Sequence, residues 1–166
     1  MTLEGVGTFE DWYRQLYPRF VTTLAVTLGS SDEAAEVAGD AFVAAYEQWD
    51  RVGAMDNPAG WTYRVAMNRA RRRGRRRRTE QDRALHLAPS VPTGDGLVEL
   101  CELLGDLPPR MRQVVALRHV ADLTEIDVAE VLGISRGTVS STLRDGYRRL
   151  AVSIQAEQQI QTEEQR

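Results

Sequence analysis

Apolar positions along this chain recur at helical spacing, and no stretch alternates as a strand would. Trp12, Leu16, Phe20, Leu24 and Leu28 stand four residues apart, which predicts an amphipathic helix. Thr8 followed by Asp11 resembles a capping box with Asp in place of Glu. Pro18 interrupts the stripe, where a kink is expected, and Gly29 closes it. Ser30 or Ser31 can cap a second helix whose acidic first turn, Asp32 and Glu33, suits the positive end of the helix dipole. Its expected buried face is Ala34, Val37, Ala38, Ala41, Phe42, Ala45, Tyr46 and Trp49. Asn57-Pro58 opens a third helix, with proline at the first helical position, running through Trp61, Val65 and Asn68 into a block of arginines.

Periodicity collapses between Thr79 and Gly96, where Pro89, Pro92 and a Thr-Gly-Asp-Gly stretch read as a linker. Beyond it the pattern predicts a short helix over 97–104, a Leu-Pro-Pro turn at 107–109, and a helix carrying Val114, Val115, Leu117 and Arg118. Thr124 with Asp127 caps the next helix, through Val128, Val131 and Leu132, which Gly133 ends. Ser135 caps the last, through Val139, Leu143, Tyr147 and Leu150. The Gln/Glu-rich end from Glu157 is expected to fray or be disordered. The fold class that follows is all-α: two small helical domains joined by a linker, the second a helix-turn-helix domain. The expected boundaries are 1–78, linker 79–96, 97–154 and a polar tail 155–166.

Composition narrows the function. The net charge is −3, and all 21 basic residues are Arg. Acids dominate up to Asp50, after which Arg69, Arg71, Arg72, Arg73, Arg75, Arg76, Arg77 and Arg78 follow almost without interruption. Such asymmetry suggests a polyanion partner for the basic run and a protein partner for the acidic segment. One cysteine, Cys101, excludes an internal disulfide and favours a reducing compartment. With neither a secretory leader nor an apolar run long enough to span a bilayer, the expectation is a cytoplasmic protein without membrane insertion.

The most specific constellation is Ala129, Gly133 and Val139 within VAEVLGISRGTVSSTL. Two short helices meeting at a steep angle need a small residue where they approach, a positive φ at the turn, and an apolar residue facing back to the core. These three supply them in that order. Arg136, Thr138, Ser140, Ser141 and Arg144 then occupy the exposed N-terminal half of the second helix, which in such a motif enters the major groove. The arginine run can bind phosphates without reading sequence, although eight guanidinium groups over three turns cannot all face one ligand. Trp61 and Tyr63 can stack on unpaired bases, with core packing the competing reading for Trp61. Asn68 can cap, satisfy a carbonyl or read a base edge. His86, His119 and Cys101 lack spaced partners, and no glycine-rich phosphate loop occurs, so no catalytic, metal or cofactor site is expected.

Residues 9–150 resemble the extracytoplasmic-function sigma factors, minimal bacterial sigma factors with regions two and four only. LLGDLPPRMRQVVALRHVADLTEIDVAEVLGISRGTVSSTLRDGYRRL carries the region-four likeness. FEDWYRQLYPRF, DEAAEVAGDAFVAAYEQW and PAGWTYRVAMNRARRRGRR carry a looser region-two likeness. The resemblance implies promoter-specific initiation with core RNA polymerase and promoter DNA as partners, an anti-sigma protein as a regulator, and no enzymatic activity. It implies core-polymerase docking through Glu36, Val37, Gly39, Asp40 and Phe42. Contact with the −10 element is implied for Trp61, Arg64, Asn68, Arg69, Arg71, Arg72 and Arg75. Contact with the −35 element is implied for Arg136, Thr138, Val139, Ser140, Ser141, Arg144 and Arg148. The linker would lie near the RNA exit path. Glu36 and Gly39 depart from the family's D-x-x-Q pattern, Thr62 replaces a leucine, Ile126 an acid and Asp145 a base. Two alternatives remain: a sigma-derived DNA-binding regulator that no longer engages core polymerase, and an arginine-rich RNA-binding protein.

Overall fold

The computed structural model describes residues 7–80 and 97–164, with side chains described outside 75–80, 97–99, 101 and 156–164. The expected linker, apart from residues 79 and 80, thus lies outside the described residues. So do His86 and the side chains of Arg75 to Arg78 and Cys101. All eight elements among the described residues are helices. They are α1 (Phe9–Leu28), α2 (Ser31–Glu47), α3 (Trp49–Val52), α4 (Pro58–Glu80), α5 (Leu97–Gly105), α6 (Pro109–His119), α7 (Glu125–Leu132) and α8 (Arg136–Glu164). None is long and apolar enough to cross a membrane.

The caps fall where the sequence puts them. Thr8 Oγ1 accepts from the Asp11 N–H, and Gly29 adopts φ 70° at the end of α1. Ser30 Oγ accepts from the Glu33 N–H at 3.2 Å, and Asn57 Oδ1 from the Gly60 N–H at 2.8 Å. α1 continues through Pro18, which lies on its exposed side. α8 also outruns expectation: its backbone is helical to Glu164 rather than frayed from 157. Gln, Glu and Ala are good helix formers, and a helix already nucleated needs only propagation through them.

The N-terminal bundle packs α1 against α2 and α2 against α4 around an aromatic centre. The Phe42 ring lies 4.9–5.6 Å from the rings of Trp12, Tyr13, Tyr17 and Phe20. Tyr63 stacks on Phe20 at 4.2 Å, an arrangement worth about 0.5–1.5 kcal/mol beyond area burial. Its buried hydroxyl donates to Thr23 Oγ1 at 3.2 Å, and that hydroxyl donates to the Arg19 carbonyl at 2.8 Å. Burial holds the Tyr63 phenol well above its usual range. The C-terminal bundle is aliphatic instead: Val114, Leu117, Val128, Val131, Val139 and Leu143 fill it.

One position on the face assigned from periodicity needs correction, and a second aromatic shares its exposure. Tyr46 is exposed on α2, and Tyr147 on α8 is 45% exposed. Tyr147 has its hydroxyl 2.6 Å from His119 Nε2, so its polar tip stays at the surface.

The two bundles are in contact. α1 packs on α6 and α4 packs on α7. Arg19 Nε donates to the Val120 carbonyl at 2.8 Å, and Arg71 donates to the Leu132 carbonyl at 3.0 Å. The second contact puts a cation at the negative end of α7, where the helix dipole favours it.

Candidate nucleic-acid interface

The helix-turn-helix forms as its spacing requires. Ala129 is buried at the approach of α7 and α8, Gly133 adopts φ 65° and ψ 44°, and its N–H donates to the Ala129 carbonyl. A side chain at that φ would be strained. A reciprocal capping box between Thr124 and Asp127 fixes the first turn of α7. Ser135 begins α8, its hydroxyl accepting from the Thr138 N–H at 3.0 Å.

This geometry leaves Arg136, Thr138, Ser140 and Arg144 exposed and Ser141 partly so. Arg148 is exposed one turn further on and paired with Asp145 at 3.2 Å. Val139 is fully buried. It belongs to the core and sets the height of the helix, so it is withdrawn from the expected DNA contacts.

On α4 the arginines divide by helical phase. Arg69 and Arg73 turn toward α2, where Arg69 lies 3.1 Å and Arg73 3.0 Å from Asp40, and Arg73 also pairs with Glu36. Arg71 donates to Asn68 Oδ1 at 3.2 Å and reaches across to the end of α7. Arg64, Asn68 and Arg72 are exposed. Trp61 is half-buried, with the Arg51 guanidinium 5.7 Å from its ring centroid. A cleft of about 310 Å³ separates Trp61 and Arg64 from Asp127 and Glu130 of α7. Tyr63, offered as a base-stacking residue beside Trp61, is fully buried and takes no part.

The set expected to dock core polymerase is also split. Val37 and Phe42 are buried in the N-terminal bundle and cannot reach a partner; their side chains anchor α2 instead. Gly39 is exposed, with open space where a Cβ would stand. Val43, 58% exposed, and Tyr46, 62% exposed, continue the same stripe. The helical spacing 36, 39, 43, 46 could have found this stripe, because residues three and four apart share one face of a helix.

Comparison with known proteins agrees with this architecture. Residues 12–80 match the family description Sigma-70 region 2, and residues 103–151 match Sigma-70, region 4. The chain is 25% identical over 146 residues to the extracytoplasmic-function RNA polymerase sigma factor SigW of Bacillus subtilis, spanning 74% of this chain and 76% of that protein. It is 26% identical over 154 residues to an RNA polymerase sigma-E factor of Streptomyces avermitilis, spanning 89% and 86%. The fold is similar to that of the sigma factor RpoE of Bartonella quintana, solved with the anti-sigma factor NepR, at TM-score 0.66 and 20% identity over 88% of this chain and 98% of that one. It is also similar to CnrH, solved with the cytosolic domain of CnrY, at TM-score 0.60 and 22% identity over 89% and 88%. Neither a polymerase-independent regulator nor an RNA-binding protein is favoured by these likenesses. With the two sigma-70 regions in order over well over half of its length, the chain belongs to the sigma-70 family, in its extracytoplasmic-function group.

Proposed function

We propose that this protein directs core RNA polymerase to a subset of promoters through three separate surfaces and has no enzymatic activity of its own. The outer stripe of α2, comprising Glu36, Gly39, Asp40, Val43 and Tyr46, docks on polymerase. The exposed side of α4, with Trp61, Arg64, Asn68 and Arg72 and continuing to Arg75, engages the −10 element. Arg136, Thr138, Ser140, Ser141, Arg144 and Arg148 of α8 engage the −35 element. The division of labour follows 1–78 for docking and −10 contact and 97–154 for −35 contact. The observation that carries the reading is the exposed polar half of α8 on a glycine-turned helix-turn-helix.

Promoter engagement requires the bundles to separate. By their names the two elements lie about 25 base pairs apart, roughly 85 Å of duplex at about 3.4 Å per pair. Helices α4 and α7 in contact cannot serve both ends of that span. An anti-sigma protein that holds the compact arrangement is the natural regulator, and the similar RpoE of Bartonella quintana was solved in complex with an anti-sigma factor. The protein works in the cytoplasm, where polymerase is.

Run-off transcription with reconstituted core polymerase on genomic fragments tests the function directly. Titration of core polymerase with variants tests the docking stripe. Tyr46→Asp and Val43→Asp each place an uncompensated charge at an apolar contact and should weaken core binding by at least about tenfold, as central contacts do. Free-chain binding to duplex DNA should stay unchanged. Gly39→Gln should bind core at least as well as the original, since it adds a side chain in open space. Undiminished core binding by both aspartate variants would remove α2 from the interface.

A further inference from the structure

We propose that Glu125 is a specificity-determining residue of the −35 interface, a positioning group that fixes the hydrogen-bond polarity of Ser140 and the aim of Arg136. The inference rests on α8 being the promoter-reading helix. Glu125 is the first residue of α7, and its carboxylate is the more enclosed partner, 33% exposed against 70% for Arg136. Glu125 Oε2 accepts from the Ser140 hydroxyl and lies 3.7 Å from Arg136 Nε. One oxygen thus ties together two of the side chains that α8 presents to DNA.

The consequence follows from the donor and acceptor inventory. A carboxylate only accepts hydrogen bonds, so the Ser140 hydrogen is committed inward and its outward lone pairs can only accept. In the major groove the amino groups of cytosine and adenine are donors, whereas guanine O6 and thymine O4 are acceptors. Ser140 in this state therefore selects cytosine or adenine at the base it faces. Arg136, held at Nε, keeps its two terminal nitrogens for the groove, the arrangement suited to bidentate contact with guanine O6 and N7. The negative charge also repels phosphate and so lowers sequence-blind affinity, which widens the gap between right and wrong sites. The cap of α7 does not depend on Glu125, because Thr124 and Asp127 already close it. Removing the carboxylate should leave the fold intact.

The test uses holoenzyme reconstituted from core RNA polymerase and the full chain, selecting from duplexes randomised across the −35 region. The original protein should favour cytosine or adenine over guanine or thymine at one position by about fivefold to tenfold. Ser140→Ala and Glu125→Ala should each flatten that position, and the double variant should flatten it no further. Glu125→Gln, which keeps an acceptor but loses the charge, should retain more of the preference than Glu125→Ala. Both Glu125 variants should bind non-specific duplex more tightly, with at most a small fall in melting temperature from the lost charge at the start of α7. A Glu125→Ala profile superimposable on the original, with Ser140→Ala altered, overturns the role of Glu125 alone. Unaltered profiles for Ser140→Ala and Arg136→Ala as well would overturn the reading of α8 and the proposal with it.

Discussion

Helices α4 and α8 both carry arginine on a surface assigned to promoter DNA, and they hold it in opposite ways. On α4, Arg69 and Arg73 are tied to Glu36 and Asp40, and Arg71 caps the end of α7. These pairs are half-exposed and individually worth only about 0–1 kcal/mol, yet they orient long side chains toward the protein. On α8, Arg136, Arg144 and Arg148 project outward and are more exposed, Arg136 beside Glu125 at the start of α7 and Arg148 paired with Asp145 of its own helix. The helix with the most charge is thus the one with more of its described arginines turned inward. A dense arginine run surrounds its helix, and the sides that face other elements serve the fold. Charge density in the sequence overstates the charge available to a ligand.

The buried side of each helix offers the strongest way to break the comparison. Gly146 faces α6 so closely that a Cβ there would stand 3.0 Å from Val115 Cγ2 and 3.2 Å from Met111 Cγ. Gly146→Val leaves the displayed side of α8 untouched but should cost about 1–3 kcal/mol through overpacking. Each kcal/mol lowers the melting temperature by about 4–8 °C in a domain of this size. Thermal unfolding followed by circular dichroism checks this, and an unchanged midpoint would mean that α6 and α8 are further apart than described.

A smaller effect separates displayed from restrained arginines on α4. Arg64→Ala and Arg72→Ala should each reduce the log–log salt slope of promoter binding by about 0.9 on duplex DNA. Glu36→Gln with Asp40→Asn should do the opposite, releasing Arg69 and Arg73 to gain up to about 0.9 for each that reaches a phosphate. Should the double carboxylate variant keep the original slope, helix phase rather than ion pairing holds those arginines away from DNA.

The smallest effect concerns the joint between α6 and α8. Burial holds His119 below its usual range; the neighbouring Arg118 lowers it further, and Asp122 opposes them. The folded state therefore prefers neutral His119. Its contribution to stability is complete above the unfolded value of about 6.5 and is lost as pH falls through the lower folded value. The melting temperature should fall slightly between pH 7.5 and 5.5, and His119→Phe should flatten that fall. An identical pH dependence in the variant would exclude His119 as its source.

The sequence by itself determined the helices, most of their caps and the helix-turn-helix, because these depend on residues three or four apart. Thr8, Ser30, Asn57, Thr124 and Gly133 act on backbone groups within one turn, and Ala129, Gly133 and Val139 constrain one another within a dozen residues. The family was legible for the same reason, since its most specific motif lies in that segment.

Tertiary structure alone decided which side chains remain on the surface. Val37, Phe42 and Val139 carried two readings, core from periodicity and contact from the resemblance, and Tyr63 read as a stacking residue, until the packing of α1, α2 and α4, or of α7 and α8, enclosed all four. Tyr46 went the other way, exposed although the edge of its ring meets Phe9 of α1, and Val43 beside it is exposed too. The interhelical hydrogen-bond partners of Arg19, Arg71 and Arg73 lie 33 to 101 residues away in sequence. No local pattern encodes such a pairing, because it exists only once separate helices have met and one side of each has been removed from water.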